Sequence, residues 1–77
     1  MRRGNELTQA IDEIVGERIH ILREAKGLTL KQLSQEIGVT FQQLFKYEKC
    51  INKISCGRLY LIAKALKRPV SYFFGDR

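Results

Sequence analysis

The stretch TLKQLSQEIGVTFQQLFKYEK, residues 29 to 49, constrains the fold more than any other part of this chain. It holds two threonines at which a helix can start, Thr29 and Thr40, and a glycine, Gly38, shortly before the second. A threonine hydroxyl accepts from amides that the first helical turn leaves unbonded, and glycine takes the left-handed conformation that ends a helix without a steric penalty. Leu30, Leu33 and Ile37 follow the i, i+3, i+7 spacing of one helical face. The spacing predicts two short helices, about 30–37 and 41–48, joined by a three-residue turn, which is the arrangement of a helix-turn-helix.

No period-two alternation of apolar residues occurs elsewhere, so the chain reads as all-α. Asp12 can cap a first helix of about 13–26 with Val15, Ile19 and Leu22 on one face and Gly27 as its stop. His20, beside that stripe, reads as a surface side chain. Ser55 caps a fourth helix, about 56–67, whose Leu59, Ile62, Ala63 and Leu66 share a face. Pro69 opens a final turn through Val70, Tyr72, Phe73 and Phe74, and Gly75 closes it. Five helices result, within a domain over 12–75. Residues 1–11 read as a loose, flexible arm that Leu7 and Ile11 could turn into more helix, 49–54 (KCINKI) as a basic loop, and 76–77 as a tail.

A chain of 77 residues supports one domain with a modest core. The longest uncharged stretch, Ile37 to Phe45, is far too short to span a bilayer, and Arg2 and Arg3 are not followed by the apolar run of a signal peptide, so the cytoplasm is expected. Cys50 and Cys56 match no metal-ligand spacing and His20 is distant, so reduced thiols and no metal or cofactor are expected. An enzyme is disfavoured as well. The chain has one His, no paired carboxylates on a shared face, no glycine-rich phosphate loop, and no Ser or Cys with a base nearby.

Charge is distributed unevenly. Residues 1–38 hold six basic and six acidic side chains, whereas 39–77 hold eight basic ones against only Glu48 and Asp76. A basic half points to a polyanion, nucleic acid before membrane. In the helix over 41–48, Leu44 and Tyr47 define an inward direction; from it Gln42 and Lys49 lie about 170° away, Phe45 and Lys46 about 130°, and Phe41 about 90°. The outward set offers an amide able to pair with adenine, cations for guanine or phosphate, and an aromatic for a thymine methyl. The amides at the Thr29 and Thr40 caps suit phosphates.

Most of the chain, from Val15 to Gly75, resembles the lambda-repressor-like, or Cro-type, helix-turn-helix family of phage and bacterial regulators. The matching segments are VGERIHILREAKGLT, LKQLSQEIGVTFQQLFKYEK and SCGRLYLIAKALKRPVSYFFG, and GVTFQQ, KYEK, NKIS and PVSYFF look most like short alphaproteobacterial members. The resemblance implies a five-helix domain whose third helix enters the major groove. It implies base reading by Phe41, Gln42 and Lys46 with Phe45 beside them. Backbone contacts would come from Thr29, Lys49, Asn52 and Lys53; Thr40 and Gln43, beside the reading positions, and the cation Arg58 are expected on the backbone as well. A structural ion pair would join Arg23 to Glu48.

The chain departs from that pattern at four places. Leu30 stands where relatives carry a phosphate-clamping Gln, Ser34 where they carry Ala, Cys50 where they carry Gly, and Ile54 where they carry Pro. Leu30 and Phe41 read as an apolar pair replacing a polar one. The function expected is a sequence-specific, double-stranded-DNA-binding transcriptional regulator. It would act as a repressor and as a homodimer on a pseudo-palindromic operator, dimerising through Tyr72, Phe73, Phe74 and the end of the fourth helix. The alternative is an antitoxin or other module that binds a partner protein through Phe41 and Phe45.

Overall fold

The computed structural model describes residues 2–75, with side chains from Glu6 onward; the expected tail at 76–77 lies outside them. The elements are α1 (Arg2–Ala25), α2 (Leu30–Ile37), α3 (Phe41–Glu48), α4 (Cys56–Leu66) and a terminal 3-10 helix (Val70–Phe74). Among the described residues there is no strand. α2 packs on α3 and α4, while α1 packs on α3, α4 and the 3-10 helix. Ile19, Leu33, Leu44, Ile62, Leu66 and Phe73 are wholly buried where these elements meet.

Two expectations need correction. The count of five helices becomes four α-helices and one short 3-10 helix. Pro69 and Gly75 leave only five residues between them, and the segment closes with tight bonds, Tyr72 N to Pro69 O at 3.0 Å and Gly75 N to Tyr72 O at 3.2 Å. The loose arm is instead the first part of α1, so Asp12 sits inside a helix and caps nothing. Residues 6–14 are rich in good helix formers, and Gln9 donates to Glu13 one turn on at 3.3 Å.

α1 and α3 approach each other closely. A Cβ added at Gly16 would lie 2.8 Å from the carbonyl oxygens of both Tyr47 and Glu48. Only glycine lets the α1 backbone rest on the C-terminal turn of α3. Gly38 ends α2 in the left-handed conformation at φ 76°, which turns the chain toward Thr40.

Candidate nucleic-acid interface

α2 and α3 are each capped at the N-terminus by a threonine. Thr40 Oγ1 accepts from Gln43 N at 3.1 Å. Thr29 begins α2 with a reciprocal cap: its hydroxyl accepts from Gln32 N at 3.0 Å, and its own amide donates to Gln32 Oε1 at 2.8 Å.

The inner face of α3 buries Leu44, Tyr47 and Glu48. Arg23 meets Glu48 with two bonds, Nε to Oε2 at 2.7 Å and Nη2 to Oε1 at 3.1 Å, and its Nη1 donates to Leu28 O at 2.7 Å. The Glu48 carboxylate, through its hydrogen bond first and its charge in addition, holds the Arg23 pKa above its usual value. His20 belongs to this group too, with Nδ1 2.8 Å from Glu48 Oε1 and Nε2 3.4 Å from Glu24. Reading it as a surface side chain missed that role. The available signal was its placement one helical turn from Arg23 and Glu24 on α1.

The outer face is open. Phe41 and Phe45 are 49% and 42% exposed, and Gln42, Lys46 and Lys49 are exposed beside them. Lys49 Nζ stands 5.8 Å from the centre of the Phe45 ring, so cation and aromatic form one patch. Lys46 makes no ion pair among the described residues. Gln43 is half-buried, and its Oε1 accepts from Asn52 Nδ2 at 3.4 Å, which draws the following loop against α3. Leu30 is half-buried against the core whereas Phe41 projects outward.

The loop after α3 is tied back by bonds from the Ile51 and Asn52 amides to Lys46 O, at 2.8 and 3.4 Å. Cys50 takes φ 60°, in the left-handed region that favours glycine. Burial pushes the Cys50 thiol pKa up, and both cysteines are free. Lys53 is bound to Asp12 of α1 at 2.8 Å, and that hydrogen bond raises its pKa. Arg58 Nη1 donates to Ile37 O at 2.8 Å, so its guanidinium caps the end of α2. Sequence reasoning assigned Lys53 and Arg58 to phosphate alone and missed these internal partners, which only the packing of α1, α2 and α4 brings within reach. No cluster of three metal-ligating side chains occurs among the described residues, and no described helix is long and apolar enough to cross a membrane.

The arrangement is a short helix with a bonded inner face and an open basic and aromatic outer face, following another helix across a tight turn. The model of the helix-turn-helix family matches residues 19–73, most of the chain. This chain belongs to the helix-turn-helix family. It is 57% identical over 74 residues to an uncharacterized HTH-type transcriptional regulator of Rickettsia prowazekii, covering 96% of this chain and 57% of that protein. It is 51% identical over 67 residues to another from Sinorhizobium fredii, covering 87% and 47%. The chain thus spans less than two thirds of these longer relatives. Among solved helix-turn-helix structures, it superposes with a TM-score of 0.79 on the clp gene regulator ClgR from Corynebacterium glutamicum, at 25% identity over 82% of this chain and 67% of that one. With Bacillus thuringiensis PlcR, solved in complex with the peptide PapR7 and DNA, the TM-score is 0.73 at 32% identity, over 80% of this chain and 22% of that one.

Proposed function

We propose that this helix-turn-helix domain is the DNA-reading unit of a cytoplasmic transcriptional regulator that recognises a double-stranded operator in the major groove. The observation that carries the reading is the outer face of α3, where Phe41, Gln42, Phe45, Lys46 and Lys49 are exposed together. Inserted in the groove, Gln42 pairs with an adenine, Lys46 donates to guanine or phosphate, and Phe41 and Phe45 meet thymine methyls. The amides at the Thr29 and Thr40 caps, with Gln43, Lys49, Asn52 and Lys53, hold the phosphates on either side. Arg58 acts through α2, whose end it fixes. Two copies on a pseudo-palindrome place their α3 helices in successive major grooves, and occupancy of the operator represses transcription.

Selection of bound sequences from a random DNA pool tests this directly. A palindromic motif is expected, with affinity that falls steeply as salt rises. A pool that enriches nothing leaves the second reading, in which the exposed Phe41 and Phe45 dock a partner protein such as a toxin.

A further inference from the structure

α1 carries two apolar faces where one would serve the core. Val15, Ile19 and Leu22 are buried, and the stripe of Leu7, Ile11 and Ile14 lies about 90° around the helix from them. That second stripe is exposed at 63%, 45% and 39%, and no residue from Glu6 to Ile14 is buried. The 3-10 helix extends the patch. A Cβ at Gly75 would sit 3.6 Å from Ile14 Cγ2, and the neighbouring Phe74 is 41% exposed. Together the four side chains leave an apolar patch on the order of a few hundred Å² open on one side of α1.

We infer that this stripe is a seam between two copies of the chain, with the N-terminal halves of their α1 helices packed antiparallel. The spacing of four and then three residues is that of a helix-pairing seam, and it is complementary to itself. Laid antiparallel on a second copy, Leu7 meets the partner's Ile14 while the two Ile11 side chains meet at the centre. Two such patches bring together several hundred Å² of apolar surface, on the order of what a small, reversible contact buries. The turns of α1 from Glu6 to Ile14 bury no apolar side chain in the fold, and a second copy supplies that burial.

The limits of the seam are set by charge. Arg18 follows Ile14 on the stripe, with its guanidinium 5.0 Å from the Tyr72 ring centre and Nη1 3.3 Å from Tyr72 O. It separates Ile14 from the exposed Ile21 and ends the apolar run. The seam also points away from the groove-facing helix. Gly16, which touches α3, lies on the opposite side of α1 from Leu7, Ile11 and Ile14, so both recognition faces stay open. Phe73 takes no part, because it is wholly buried, which changes the dimer contact expected from the end of the fold. This seam deepens the dimeric reading above but needs no DNA to form.

Light scattering on the whole chain, with circular dichroism as the check on folding, tests the seam. The wild type is expected at twice the monomer mass, and Ile11→Lys and Ile11→Ala are expected to weaken association about tenfold or more. Ile21→Lys, beyond Arg18, is expected to leave the dimer intact. A monomeric wild type, or a dimer indifferent to folded Ile11→Ala, overturns the proposal; should Ile11→Lys unfold, Ile11→Ala decides. DNA separates the two readings. The Ile11→Ala chain should still bind a single half-site while losing the tighter binding to the full site. Failure of folded wild type to bind any DNA would sink the regulator reading and leave the mass result standing.

Discussion

The two sides of α3 are built on opposite rules. Toward the core, the polar Glu48 has bonds from both Arg23 and His20, and the whole group is buried or half-buried. Toward solvent, Gln42 and Lys46 share their face with two large, exposed aromatic rings. A buried polar group must be bonded internally, or desolvation makes it costly. An exposed one without internal bonds keeps its donors and acceptors for a partner. α3 is thus held from behind so that its front can be read out in one geometry.

The rear side should therefore carry the largest effects, all on stability. Glu48→Ala leaves Arg23 buried without its counter-charge and is expected to cost about 3–5 kcal/mol, enough to unfold much of a small domain. Urea unfolding followed by circular dichroism measures it, and a loss below 1 kcal/mol would break the contrast between the two sides. Gly16→Ala comes next. Its Cβ would press on the Tyr47 and Glu48 carbonyls, and the backbone shift that follows is expected to cost about 1–3 kcal/mol.

These two residues also show what a sequence reveals and what it hides. The α2–turn–α3 unit was legible because its signals are local: Thr29, Gly38 and Thr40 act on amides within a few residues of themselves. The outward placement of Gln42 and Lys46 followed from helical period alone. Gly16 was illegible because nothing next to it in the chain demands glycine; the demand comes from carbonyls on another helix. The early start of α1 was left as an alternative because Asp12 looks like a cap, while the helix formers before it carry no stop signal. Arg58 and Lys53 read as free cations because their partners, Ile37 O and Asp12, are distant in sequence.

The front side should respond in binding with stability unchanged. Gln42→Ala is expected to weaken operator binding by about 1–3 kcal/mol and to relax preference at one base pair, measured by titration against a set of singly substituted operators. An equal loss on every operator would make Gln42 a phosphate contact.

Between the two sides lies the turn at Cys50, which belongs to neither. A non-glycine residue at φ 60° is strained, so Cys50→Gly is expected to stabilise the domain by about 0.5–1 kcal/mol once the extra freedom of glycine in the unfolded chain is offset. A thermal melt checks the sign. Destabilisation would mean that packing of the half-buried thiol outweighs the strain.

The smallest effect is expected at Lys53, which has a foot on both sides. It is exposed and basic like the outer face, yet its ammonium is bonded to Asp12 like a group of the inner one. If the bond is only a resting place, phosphate competes for the ammonium, and Lys53→Ala should weaken all DNA sequences alike and lower the salt slope by about 1. Asp12→Asn then gives the opposite result, since removing the carboxylate frees the cation and deletes a negative charge beside the DNA backbone; binding should tighten a few-fold at low salt and converge with wild type as salt screens the difference. If instead the bond pins the loop to α1, Asp12→Asn should weaken binding just as Lys53→Ala does. The sign of the Asp12→Asn effect therefore decides whether the loop belongs with the surface that reads DNA or with the frame that holds it.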